Sequence, residues 1–336
     1  MTRPQSACAR ISLVVCPGTL PSQGMHRFDI THYNERFSGK GRLTGREMLA
    51  MLPEIGDLAH VVADDAEPSP VATHADLARF ARRVQGVADD ESVDGVVIVQ
   101  GTNTLEETAF FLNLALKTQK PVVIVGAQRP FTAVSTDAHL NLANAVRVAA
   151  CPEAWGKGVL VATNSEINAA RDVTKTFTFQ VQTFRSRDLG VLGYADADRI
   201  VFYRSPMRRH TLASEFTLDD ADRLPRVEIM YGHTGADPRL ARAAVDLGAR
   251  GLVIAGIGAG AMGLYRDSLL QLATEGVRVV RSARVGEGRV LATGNAHEDG
   301  TIAADNLNPQ KAAILLAFAM ARGLDVAAIQ TVFDTY

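Results

Sequence analysis

Short, nearly unbroken apolar runs rich in β-branched residues recur along this chain, and they leave few folds open. They occupy residues 11–15, 95–99, 121–125 and 158–162, then 226–231, 251–257 and 277–280. A strand with one wet face alternates apolar and polar side chains; one without alternation is buried on both faces, as in a parallel sheet covered by helices. Helical periodicity fills segments between the runs, such as 105–118 and 137–150. Strand and helix in turn spell βαβ units, so the pattern predicts a doubly wound α/β fold with a mostly parallel sheet.

A chain of 336 residues exceeds what one core usually accommodates. The stretch 199–225 is polar, turn-rich and punctuated by Pro206 and Pro225, which predicts a domain junction. The expected architecture is a larger N-terminal parallel-sheet domain over 1–204, a linker at 205–225 and a smaller C-terminal α/β domain over 226–336. The last element is a helical pattern over 308–331, opened by Asn308-Pro309 in N-cap and first-turn positions.

Charge and composition remove several function classes. Lysine plus arginine number 35 and aspartate plus glutamate 37, a formal net charge of −2, so no basic field is available for nucleic acid. No apolar run approaches the roughly 20 residues of a membrane span, and ISLVV near the start is too short for a secretory core. The expected location is the cytoplasm. Three cysteines, Cys8, Cys16 and Cys151, show neither disulfide nor zinc spacing, and no histidine pair has i, i+4 spacing, so no metal is expected. Residues 258–263 match G-x-G-x-x-G, but no acidic residue ends the following strand to hold a ribose, and no cofactor is expected. A Gly-x-Ser-x-Gly elbow is absent.

Open parallel sheets bind ligands outside the carboxyl ends of their strands. Two such places carry hydroxyls on glycine-containing turns: Cys16-Pro17-Gly18-Thr19 after 11–15, and Gln100-Gly101-Thr102-Asn103-Thr104 after 95–99. Backbone N–H groups there, that of Gly101 included, could cradle a developing oxyanion. Thr104-Leu105-Glu106-Glu107 has the form of a capping box, which makes Thr104 structural. Leu105, Ala109, Leu112 and Leu116 then mark an apolar stripe, and the start of that helix faces the Thr102 turn. A hydroxyl nucleophile needs a base or cation nearby; Lys175, in ARDVTKT shortly after the run 158–162, is a candidate.

The segments QGTNTLEETAFFLNL, PVVIVGAQRPFTAVSTDAHLNLANAV, ARDVTKT and NLNPQKAAILLA together resemble the bacterial L-asparaginase/glutaminase family, in order and over nearly the whole chain. The resemblance implies a larger N-terminal and a smaller C-terminal domain, no metal, and homodimers or homotetramers with active sites at subunit interfaces. It also implies hydrolysis of a small-molecule amide through a threonine acyl-enzyme. Thr19 stands in the place of the family nucleophile, Thr102 in that of the second threonine, and Lys175 in that of the assisting lysine. The family's mobile-loop tyrosine falls in a loop that is longer here, where Tyr33 and Phe37 both stand as candidates.

The departures fall together. The aspartate that receives the substrate α-ammonium in this family is Asn103 here, and the Ser-Gln pair of the substrate site appears as Ser69-Pro70. The glutamate contributed by a neighbouring subunit has no aligned counterpart, Thr293, His297 and Glu298 being the nearest residues. An ammonium buried without its carboxylate is unfavourable. The expected substrate is therefore a small carboxamide or related cyclic amide lacking a free α-amine, the alternatives being L-asparagine itself or a binding protein that has lost turnover.

Overall fold

A computed structural model describes residues 8–33, 35–64, 71–294, 298 and 300–336. The chain divides into two compact units, Met1–Glu215 and Phe216–Tyr336. The stretch 205–225 contains the 3-10 turn Thr211–Ala213 and the short helix Leu218–Ala221.

Among the described residues the first unit has ten strands: β1 (Arg10–Val15), β2 (His60–Ala63), β3 (Gly95–Val99), β4 (Val122–Val125), β5 (Val159–Thr163), β6 (Glu166–Ala169), β7 (Thr174–Lys175), β8 (Phe184–Arg185), β9 (Gly193–Ala195) and β10 (Ile200–Phe202). Eight of them form one sheet in the order β10-β9-β6-β5-β4-β3-β1-β2, and β7 and β8 pair as a separate ribbon. From β2 to β5 neighbours are parallel. Every residue of β3, β4 and β5 is buried, as unbroken apolar runs require. One face packs Leu13, Val97, Val99 and Val123 against Leu142, Ala145 and Val146 of the helix Ala138–Ala150. Each buried Leu or Val side chain contributes about 1.5–3 kcal/mol by leaving water.

The wing β6-β9-β10 is antiparallel and has no counterpart among the expected strands. Its first hairpin turns on Asn164 and Ser165, both at positive φ (53° and 63°), the two-residue turn that usually carries glycine. Asn141 Oδ1 accepts the Asn164 N–H at 2.7 Å, so a neighbouring helix supplies the stability that the turn sequence lacks.

The second unit is a four-stranded parallel sheet in sequence order: β11 (Val227–Tyr231), β12 (Gly251–Gly256), β13 (Arg278–Ala283) and β14 (Thr301–Ala303). The helical pattern at 308–331 is two helices, Pro309–Ala321 and Val326–Thr335. Asn308 caps the first as expected, accepting the Lys311 N–H. Gly323 then adopts φ 70°, which ends it, and the Asp325 side chain caps the second by accepting the Ala328 N–H. The G-x-G-x-x-G match forms a tight turn in which the Ala261 N–H donates to the Ile257 carbonyl at 2.9 Å. Among the described residues no helix is long and apolar enough to cross a membrane, and no group of three His, Cys, Asp or Glu side chains could hold a metal ion.

Candidate active site

Strand order brings the two hydroxyl-bearing turns together. In the order β2-β1-β3-β4-β5 the winding reverses between β1 and β3, which opens a crevice outside their carboxyl ends. Val15 pairs with Val99 in register, so the turns leaving these strands start side by side. The Cys16 N–H donates to the Val99 carbonyl at 2.7 Å and the Gly101 N–H to the Pro17 carbonyl at 3.0 Å. The backbones then approach so closely that a Cβ on Gly18 would lie 2.3 Å from the Cα and N of Gly101. Neither atom can yield, because both belong to backbone. Gly18→Ala is expected to push the turns apart and cut kcat/KM by about tenfold or more, as misplacement by about 1 Å does; steady-state kinetics on the purified variant checks this.

The lock also corrects one expectation. The Gly101 amide is engaged by Pro17, so it is not an open oxyanion donor. Among the described residues the amides of Thr19, Thr102 and Asn103 have no backbone acceptor, so these turns keep N–H groups available to an oxyanion.

Thr19 is half-buried, on a turn closed by Ser22, whose N–H donates to the Thr19 carbonyl (3.0 Å) and whose hydroxyl donates to the Gly18 carbonyl (2.6 Å). The chain runs on through a loop and returns, and the Thr19 hydroxyl donates to the Tyr33 hydroxyl at 3.2 Å. Of the two loop aromatics, Tyr33 is therefore the one that reaches Thr19. Phe37 is exposed, its ring edge-on to His32.

Thr102 is buried at the other turn. Lys175 Nζ donates to Thr102 Oγ1 at 2.7 Å, and Thr102 Oγ1 donates to Gln128 Oε1 at 3.4 Å. Burial lowers the Lys175 pKa from the ordinary lysine value, so its neutral form is more accessible than that of a surface lysine. Lys175 lies on the short ribbon β7–β8, which is anchored by Glu106: Oε1 of this buried carboxylate accepts the Thr174 hydroxyl (3.0 Å) and the Lys175 N–H (3.2 Å). Gln128 is aimed by Asp137, whose carboxylate accepts the N–H groups of Gln128 (2.9 Å) and Arg129 (3.0 Å).

Glu106 lies in the first turn of the helix Leu105–Ala115, where three features differ from expectation. The helix stops at Ala115, it is buried on nearly all faces rather than along one stripe, and Thr104 makes no side-chain cap. Thr104 has ψ 17°, which keeps its hydroxyl off the first turn, whereas Thr44, Thr73 and Thr217 have ψ near 160–170° and do form capping boxes. Glu106, one position before the acid that a capping box would use, serves the Lys175 strand. Nothing local distinguishes Glu106, Gln128 or Asp137 from ordinary first-turn and loop residues, and the sequence alone does not single them out.

Asn103 is exposed at the edge of the Thr102 turn. Ser69 and Pro70 lie outside the described residues. Cys16 is wholly buried, and burial pushes its thiol up to about 12, so it is no nucleophile.

Comparison with known proteins identifies the family. The asparaginase N-terminal family model matches residues 10–208 and the glutaminase/asparaginase C-terminal domain matches 226–333. The chain belongs to the asparaginase family. L-asparaginase 2 of Bacillus subtilis is 40% identical over 331 residues, covering 97% of this chain and 86% of that protein. The glutaminase-asparaginase of Pseudomonas fluorescens is 36% identical over 334 residues, covering 98% and 91%. Among solved structures, a "Probable Cytoplasmic L-asparaginase" from Campylobacter jejuni superposes with a TM-score of 0.90 at 36% identity, covering 98% of this chain and all of that one. As a member of the asparaginase family the protein is an amidohydrolase, acting on carbon–nitrogen bonds other than peptide bonds.

Proposed function

We propose that this asparaginase-family protein hydrolyses the side-chain amide of L-asparagine through an acyl-enzyme on Thr19. The observation that carries the reading is the pairing of two hydroxyls, each with its own proton partner, on turns locked side by side: Thr19 with Tyr33 and Thr102 with Lys175. Thr19 Oγ1 attacks the amide carbon as its proton passes toward Tyr33. The tetrahedral oxyanion is held by backbone N–H groups; as the carbon–nitrogen bond breaks, the Tyr33 hydroxyl relays the Thr19 proton to the nitrogen, which leaves as ammonia. Water, deprotonated through Thr102 and Lys175, then cleaves the ester to release the acid and restore Thr19. Relatives named L-asparaginase and glutaminase-asparaginase support this substrate class. Following the same likeness, the working form is a cytoplasmic homodimer or homotetramer.

A second reading is favoured by Asn103. A carboxamide in place of the family carboxylate removes a negative charge opposite the α-ammonium, which suits an amide lacking that group. The ratio of kcat/KM for L-asparagine to that for succinamate decides between the two: above one supports the first reading, below one the second. In either case Asn103→Asp is expected to raise the ratio about tenfold, the factor that corresponds to about 1.4 kcal/mol of charge-assisted hydrogen bonding. A ratio unmoved by the substitution would place the ammonium elsewhere.

A further inference from the structure

We infer that Asp29 is the positioning residue that folds the loop after Thr19 and thereby sets the Tyr33 hydroxyl on the nucleophile. The inference rests on the proposed roles of Thr19 and Tyr33. These two hydroxyls lie fourteen positions apart in sequence, and a free loop of that length would seldom bring them together.

The Asp29 side chain is nearly enclosed, and its contacts reach both limbs of the loop. Oδ1 accepts the N–H groups of His32 (2.8 Å) and Thr31 (3.1 Å) and the Thr31 hydroxyl (3.4 Å), while Oδ2 accepts the Met25 N–H (3.4 Å). The His32 ring stands 3.5 Å from Oδ1. Tyr33 is the next residue along the chain. The first limb is tied down independently: the Phe131 N–H donates to the Ser22 carbonyl, the Val134 N–H to the Arg27 carbonyl, and the Gly24 N–H to Thr132 Oγ1. One carboxylate therefore joins a docked limb to the limb that bears Tyr33. The same amides, that of His32 first, lower the Asp29 pKa to about 2 despite burial, which keeps it an anion wherever the enzyme works.

Both oxygens are used, and this separates the possible replacements. Asparagine keeps one acceptor, enough for Thr31 and His32, and turns a donor toward Met25; alanine removes both. With the substrate on which the native enzyme turns over best, Asp29→Ala is expected to lower kcat by about tenfold or more with KM within about threefold, and Asp29→Asn by about threefold. Thermal midpoints and far-UV circular dichroism should stay near native.

The deciding measurement is the cycle of Asp29→Ala, Tyr33→Phe and the double variant. If Asp29 acts through Tyr33, the double variant is no slower than Tyr33→Phe alone. Losses that multiply, or an Asp29→Ala enzyme of native kcat beside an impaired Tyr33→Phe, overturn the inference while leaving the site reading intact. Native activity in Tyr33→Phe overturns the assigned role of Tyr33 itself. Should both Asp29 variants fail to fold, Asp29 is a determinant of global stability and the inference is also overturned.

Discussion

Thr19→Ala is expected to lower kcat by about 10⁴-fold or more on any amide the native enzyme hydrolyses, as loss of a covalent nucleophile does elsewhere. The fold should survive. Thr19 is half-buried on a turn whose closing bonds are made by its own carbonyl and by Gly18, none by its hydroxyl, so alanine keeps the backbone arrangement. The methyl group lost leaves space open to the crevice and costs about 1 kcal/mol at most. Steady-state kinetics and a thermal melt on one preparation test both halves. Near-native turnover in a folded variant would remove Thr19 from the nucleophile position and leave Thr102, the hydroxyl that Lys175 touches, as the group to replace next.

The second large effect concerns Lys175. Lys175→Arg is expected to lower kcat/KM by about 10³-fold, within the range lost with a general base, because a guanidinium stays charged at every working pH and cannot take the Thr102 proton. The native profile carries the sign. Burial lowers the Lys175 pKa, so the neutral amine gains population as pH rises, and kcat/KM should climb with pH along a limb below the ordinary lysine value of 10.5. That limb should vanish in the variant. Stability should run the same way: between the lowered folded value and the unfolded one, the unfolded chain binds more protons, so folding gains from Lys175 as pH rises through that window. Activity that falls as pH rises through the limb would contradict a neutral base.

Both predictions depend on residues whose chemistry is legible in the sequence, though for unequal reasons. Thr19 and Thr102 follow buried strands in glycine-containing turns, a place where ligands of open sheets are expected. Lys175 is one lysine in a polar segment, and only its motif sets it apart. Tyr33 stands level with Phe37 as an aromatic in the same loop. The capping-box pattern at Thr104 misleads because the residue types that satisfy it do not specify ψ, and ψ decides whether the hydroxyl reaches the first turn. The antiparallel wing is not legible because its leading turn uses Asn164-Ser165, with stability supplied by Asn141, 23 positions earlier on a helix.

Local chemistry dictates one part of this structure. Runs of Val, Ile and Leu became the buried strands β1, β3, β4, β5, β12 and β13, whereas the run at 226–231 became the edge strand β11 and stays partly exposed, and polar turn residues after β1 and β3 placed the hydroxyls at strand ends. Tertiary structure alone decided who meets whom. The adjacency of β1 and β3 set Gly18 on Gly101, folding of the intervening loop about Asp29 set Tyr33 on Thr19, and the Glu106 anchor set Lys175 on Thr102 across 73 positions of chain. The physical reason is one of range. Burial and turn preference are properties of a few neighbouring residues, whereas a hydrogen bond between distant side chains requires a distance that no local preference encodes and that exists only once the sheet has ordered its strands.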